Sequence, residues 1–420
     1  MIRDDRYGLP FTAASAAACD AYLDAVDRFL AARTGIDAAV DRAITLDPDF
    51  ALAHALHARL LQALGRGADA RAAMARALAG VDALTPRERG HVNALAKVVH
   101  GDGPGALAAI REHLADFPRD ALVLLPCVGV FGLFGFSGRA GRDGELAAFL
   151  APLARHYGND WWFGAVHAFA QAEVGELDAA RANIERAMDA NPHNANGAHV
   201  RAHVDYESAR DAEGLAWLDA WLAGYDRAGI MHCHLAWHAA LWQLDLGHRD
   251  AAWRTFAANV QPGGAWGPPL NVITDGASFL FRAELAGEAR PREHWRMMAD
   301  YARRAFPAPG MHFADMHAAL AYAMAGDEAA LEALIAQARG PAADMVIALA
   351  HGFRAWARGD WTAAVARLEP VCDAHERIGG SRAQRDLIEY ALLAASRQAG
   401  RAWTRRRARP LPAALAALAA

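Results

Sequence analysis

The stretch GAHVRAHVDYES, residues 197 to 208, sets His199, His203 and Glu207 at i, i+4 and i+8, a spacing that carries all three along one face of a helix. MHCHLAWHAAL, from residue 231, repeats the pair with His234 and His238. Imidazole changes charge near neutral pH, ligates transition metals and also fills polar seams, so three readings compete. The first is a metal site. Histidines four apart on a helix make a good bidentate pair, and Glu207, Asp205, Asp275 or Asp315 could complete the shell. Neither an HExxH motif nor a cysteine pair accompanies them. HCH at 232 to 234 adds little, because helix neighbours point about 100° apart.

The second reading is a metal-free polar pocket in which His199, His203, His234, His238 and Asp275 do acid and base chemistry, as in a hydrolase or lyase. Around them, Glu207, Asp315, Asp386 and Arg385 supply both signs of charge, with Arg385 able to grip a carboxylate in fork geometry. His167, His317 and Gln384 are further candidate ligand contacts, and Trp162 and Trp237 could wall a planar molecule. Ser381 is a conceivable nucleophile without the strand-turn-helix setting of a hydrolase elbow. The third reading is packing, to which His54, His57, His91, His100 and His113 are assigned. The sequence requires no cofactor; a metal, if present, would be held by His199 and His203.

These residues sit on alanine- and leucine-rich segments of about a dozen residues, apolar at helical spacing and parted by short turns. No run of alternating β-branched residues supports a sheet. A template recurs around Gly65, Gly101, Gly175, Gly247 and Gly359: a small residue seven before, another five after, and a large apolar residue nine after. Around Gly65 these are Ala58, Ala70 and Met74. Gly326 keeps the form with Leu331 at the second small position. Such a template describes a helical hairpin: glycine reverses the chain and small residues let the helices approach. Gly65 to Gly101 is 36 residues and Gly326 to Gly359 is 33, close to the tetratricopeptide period of about 34. The intervals 101 to 175 and 175 to 247 should each hide a degenerate hairpin, the second marked by Ala202, Ala209, Gly214 and Leu218.

The expected fold is therefore all-α, an α-solenoid of tetratricopeptide-type hairpins, roughly ten of them, curled around a concave face made by first helices. In that register His199, His203 and His234 face the groove and His238 lies nearer the hairpin seam. The loop NVQPGGAWGPPLNVITDG, 259 to 276, is long for a helical array and leads into Asp275, so it is expected to act as a lid or pocket rim.

Net charge of -5 and the lack of a basic stripe argue against nucleic acid as partner. The run RAWTRRRARP, 401 to 410, is read as a solvated tail, so residues 1–400 form one solenoid domain and 401–420 a basic, alanine-rich extension. Four scattered cysteines and a charged N-terminus suggest a reduced, cytoplasmic protein. The apolar run 121 to 136 is too short and too broken by Pro126 and glycines to span a membrane. A homodimer through the alanine-rich C-terminal helices is allowed by composition.

The stretches AHVRAHVDYES, HLAWHAALWQLDLG, ITDGASFLFRAEL, FADMHAALAYAMAG and RIGGSRAQRDLIEYALL resemble the tetratricopeptide repeat protein 38-like family. The resemblance runs from GLPFTAASAAACDAY to about residue 400, more loosely in the N-terminal third. It implies a solenoid and a soluble protein. The favoured expectation is a solenoid that encloses a small polar or planar molecule; the alternative is a scaffold that takes a peptide or protein segment in its groove.

Overall fold

A computed structural model describes residues 1–402 and 409–418. All six template glycines adopt the left-handed region, with φ between +74° and +86°, where a residue with a side chain loses about 1–2 kcal/mol. Each sits in the turn of an antiparallel helix pair.

The first three pairs are α1 (Ala16–Leu30) with α2 (Ile36–Leu46), α3 (Ala51–Ala63) with α4 (Gly67–Ala79), and α5 (Pro86–Val99) with α6 (Gly103–Asp116). There follow three short helices, α7 (Ala121–Leu124), α8 (Arg142–Leu150) and α9 (Ala154–Tyr157). Pairing resumes with α10 (Trp161–Glu173) and α11 (Leu177–Ala190), α12 (Ala195–Glu207) and α13 (Asp211–Leu222), and α14 (His232–Asp245) and α15 (Arg249–Asn259). Next come α16 (Pro269–Leu285) with α17 (Arg292–Ala305), α18 (His312–Ala325) with α19 (Glu328–Gln337), and α20 (Ala343–Ala357) with α21 (Trp361–Cys372). The long helix α22 (Arg382–Gln398) closes the array.

The hidden hairpin expected between residues 175 and 247 is α12 and α13, and its turn uses Ala209 at φ +54° in place of glycine. The one expected between 101 and 175 is absent: Pro126 and the glycines of 128–141 interrupt the helical pattern, leaving α7 to α9 and a long crossing segment. A further pair, α16 and α17, turns at Gly287, φ +93°. Against the sheet-free expectation, β1 (Ile2–Asp4) and β2 (Pro10–Thr12) form a small antiparallel hairpin. No helix among the described residues is long and apolar enough to cross a membrane.

Burial separates the inner from the outer helices. First helices α12, α14, α16 and α18 are buried on nearly every side, whereas α11, α13, α15 and α17 bury one stripe of two to four residues. The first helices thus line the concave interior. Helix α22 lies across that interior: Glu173 of α10 accepts from its Arg382 backbone N–H, Tyr206 of α12 donates to its Asp386, and Arg282 of α16 donates to the Ala383 carbonyl. The 128–142 segment meets it there, with Phe131 against Phe313 at 5.8 Å and Arg142 donating to the Glu376 and Gly380 carbonyls. The apolar faces of α22 are enclosed by this chain's own helices.

The basic run of the tail, Arg405 to Arg407, lies outside the described residues. Arg409 does not behave as a solvated extension: it is buried, stacks over Tyr206 at 3.9 Å and donates to the Tyr206 carbonyl at 2.7 Å and to Asp211.

The histidines assigned to packing do pack. His54 meets the Pro48 carbonyl at 2.8 Å and His100 the Ala96 carbonyl at 2.7 Å. Deeper in, Asp120 collects His91 at 3.0 Å, His113 at 2.9 Å and Arg87 at 2.9 Å, joining α5, α6 and α7. Burial pushes the Asp120 carboxyl up, but His91, Arg87 and His113 outweigh it and hold it well below the usual range.

Asp120→Asn should therefore destabilise the protein by about 3–5 kcal/mol, the usual consequence of removing one partner of a buried ion cluster, read as a lower urea midpoint. Ala209→Gly should do the opposite, raising stability by up to ~1 kcal/mol through relief of left-handed strain, read in the same titration.

Candidate functional site

The four histidines of the opening motifs meet. His199 and His203 project from α12, His234 and His238 from α14, and one ring nitrogen of each lies within 4.8 Å of all the others. His199 Nε2 is 2.8 Å from His203 Nε2 and 3.0 Å from His234 Nε2. The other three histidines are buried and His199 is half-buried. His238, expected nearer the seam, belongs to the same cluster: its ring lies 4.6 Å from that of His203 and 5.0 Å from that of His234.

From α16, Asp275 Oδ2 approaches His234 Nδ1 at 2.8 Å. A carboxylate accepts, so His234 carries a proton on Nδ1 and its Nε2 is the nitrogen turned toward His199. Burial and the neighbouring imidazoles push His199, His203 and His238 well below their ordinary values, which keeps these three neutral. Trp237 stacks on His234 at 5.1 Å and stands edge-on to His238 at 4.7 Å, while Phe169 closes against His203 at 5.0 Å. His203 Nδ1, His238 Nε2 and the indole nitrogens of Trp237 and Trp242 are buried without a hydrogen-bond partner. Among the described residues, this nitrogen set is the one whose donors converge closely enough for a metal; of the carboxylates offered for a shell, only Asp275 touches it. Asp205 pairs with Arg181, Glu207 with Arg382 at 3.3 Å, and Asp315 accepts the Gly310 N–H at 2.9 Å.

The main cavity lies elsewhere in the interior. It measures about 390 Å³ and is bounded by Glu173, Glu207, Arg382, Arg385, Asp386, Glu389 and Arg409, with Asp143 and residues 373–376 on a further side. None of the four clustered histidines lines it. Among the described residues, seven carboxylates, three guanidinium groups and one imidazole line it.

Two of those carboxylates belong to a pattern in the repeat. Glu173, Glu207 and Asp245 each stand two residues before the turn residue of their hairpin, Gly175, Ala209 and Gly247, so successive inner helices end in a buried acid. Desolvation dominates all three. It lifts Glu173 to about 7 against the opposing pull of Arg385 and Glu207 to about 8 against Arg382. Asp245 rises to about 7 against Arg282 and Arg409. Sequence reasoning missed Glu173 and Asp245; an acid at a groove position of an alanine-rich helix, repeated at fixed distance from the turn, was the available signal.

Other expected site residues are drawn into structural roles. Ser381 caps α22, accepting from the Gln384 backbone N–H while Gln384 Oε1 accepts from the Ser381 backbone N–H at 3.0 Å, so neither is poised for nucleophilic attack or ligand contact. Arg385 is already held by Asp143 at 2.7 Å, Glu173 at 3.5 Å and the Gly380 carbonyl, which leaves little of its fork for a ligand carboxylate. Asp386 accepts from Tyr206 at 2.7 Å and Tyr390 at 3.2 Å. Trp162 is buried in the N-terminal core beside Tyr157, and His167 is half-buried against Phe163. His317 is fixed to the Phe313 carbonyl at 2.8 Å. The proposed lid is shorter than expected: helix α16 begins at Pro269 and already contains Asp275. What remains of the loop packs on Arg227 and Cys233 and contributes nothing to the cavity wall.

Fold and site together define a helical-repeat solenoid of tetratricopeptide type whose interior, filled by its own last helix, holds a histidine cluster and an acidic cavity. No protein-family model matches the chain. Among solved structures it is similar to human IFIT1 in a dimer with m7Gppp-AAAA, at 13% identity and TM-score 0.45 over 91% of this chain and 86% of that one. Yeast Tom70 is similar at 13% identity and TM-score 0.40, over 81% and 89%.

The raised carboxyls fix the sign of a pH effect. Their folded values exceed the ordinary 4.5 for glutamate and 3.8 for aspartate, so between those values and about 7 to 8 the native state binds more protons than the unfolded chain. Stability contributed by these groups is present at low pH and is lost as pH rises through that window. Glu207→Gln should flatten the decline in Tm between pH 5 and 8.5, and an unchanged slope would refute the assignment.

Proposed function

We propose that the protein binds a small, positively charged polar molecule in the partly open 390 Å³ cavity between α10, α12 and α22. The observation that carries this reading is the pair of buried carboxylates in the cavity wall, Glu173 and Glu207, pushed up to about 7 and 8. Such groups lie high in energy when ionised, and an amine or guanidine arriving beside them removes that penalty. The path a peptide would follow along the concave face is taken by α22, which favours an enclosed ligand over a scaffold's extended partner. A hydrolase or lyase using His234 and Asp275 would need its substrate at the histidine cluster, whereas the cavity lies apart from it, so the reading is one of binding. The string that carries the resemblance to the tetratricopeptide repeat protein 38-like family, SRAQRD, supplies Arg382, Arg385 and Asp386 to this wall. All four cysteines are free and buried, which suits a reducing compartment such as the cytoplasm.

Thermal shift and calorimetry with a diamine, a polyamine, an arginine ester, citrate and an unrelated extended peptide test this. A cationic compound should raise Tm, with about 2.7 kcal/mol of added stability at 100 times its Kd, and more strongly at pH 8.5 than at pH 6. Glu207→Gln should weaken it about tenfold or more, the loss of one charge-assisted hydrogen bond. A response to citrate or the peptide with none to the cations would overturn the proposal.

A further inference from the structure

The histidine cluster is not used by that cavity, and its proton arrangement does not close. Asp275 fixes a His234 proton on Nδ1 and so points Nε2 into the cluster. His199 Nε2 faces His234 Nε2 at 3.0 Å and His203 Nε2 at 2.8 Å. A neutral His199 has either one proton or one lone pair at this atom, so at most one of the two contacts is a well-directed hydrogen bond. His238 Nε2 and His203 Nδ1, both buried, have no partner at all. Four imidazoles turned toward one point with fewer protons than contacts is an arrangement that a cation completes.

We propose that His199, His203, His234 and His238 bind a divalent first-row transition-metal ion, of which zinc is the type, and that Asp275 is a positioning residue that holds His234 in its ligating tautomer. The donor set selects the class. Imidazole nitrogen suits zinc, copper and nickel, whereas calcium and magnesium require oxygen ligands. A tetrahedral zinc with bonds of about 2.05 Å has ligand nitrogens about 3.3 Å apart, so the 2.8 and 3.0 Å contacts open by a few tenths of an ångström while the wider separations, all within 4.8 Å, close toward the ion. Each helix supplies an i, i+4 pair, and the ion joins α12 to α14, the inner helices of adjacent hairpins. The half-buried His199 is the side from which the ion enters. With all four positions taken by protein, the ion's role is to lock two repeats together.

The test uses the full-length protein, stripped with a chelator and dialysed, then titrated with zinc and separately with cobalt. Wild type should take up about one equivalent of zinc, gain Tm in proportion, and give with cobalt the intense visible absorption of a four-coordinate nitrogen site. A His203→Ala/His238→Ala double variant should lose stoichiometric uptake, while His57→Ala, remote from the cluster, should keep it. Asp275→Asn retains every imidazole and should weaken zinc binding by about 10- to 100-fold. If the double variant fails to fold, wild type and Asp275→Asn still decide. Uptake well below one equivalent by wild type, a weak six-coordinate cobalt spectrum, or equal affinity in wild type and Asp275→Asn would each overturn the proposal, and none of these outcomes bears on the acidic cavity.

Discussion

Helices α12, α14 and α16 are enclosed on nearly every side, and most of the polar groups they bury are met by other groups of the protein. In an ordinary solenoid the concave face is wetted and such groups are hydrated. Here α22 and the 128–142 segment occupy that face, and water is replaced by a fixed set of partners. An unmet buried polar group costs about 1–3 kcal/mol and an unpaired charge more. This single requirement accounts for the Tyr206 and Tyr390 hydroxyls on Asp386, the Arg382 pairing of Glu207, and the Asp275 bond to His234.

The same enclosure separates two kinds of chemistry on one helix. His203 and Glu207 stand one turn apart on α12, yet His203 joins a nitrogen cluster with α14 while Glu207 joins a charged wall with α22. Neutral imidazoles tolerate a dry setting; carboxylates tolerate it only beside a donor, a guanidinium at Glu207 and the His234 ring at Asp275. The arginines therefore collect on the α22 side, and the aromatic rings of Trp237, Trp242 and Phe169 collect around the histidines. Even beside arginines, desolvation weakens the acidity of Glu173, Glu207 and Asp245.

Much of this architecture was legible in the chain. A turn that demands left-handed backbone selects glycine, and Gly65, Gly101, Gly175, Gly247, Gly326 and Gly359 mark their hairpins without any knowledge of packing. The i, i+4 histidines likewise declare a shared face. The Ser381 to Gln384 spacing is also a local signal, that of a capping box, and it distinguishes a helix start from a nucleophile. Less legible was the stretch between residues 117 and 160, where repeat spacing alone suggested another hairpin and the glycines and Pro126 instead gave a crossing segment.

Local spacing thus determined that the protein is a helical-repeat solenoid and that four histidines share its inner face, because turn conformation and helix periodicity act over a few residues. Tertiary structure decided that α22 fills the groove, that Asp275 reaches His234 across 41 positions of sequence, and that Arg385 is spent on Asp143 and Glu173. Those outcomes depend on which distant charges meet once water has been excluded, and no short-range pattern encodes that.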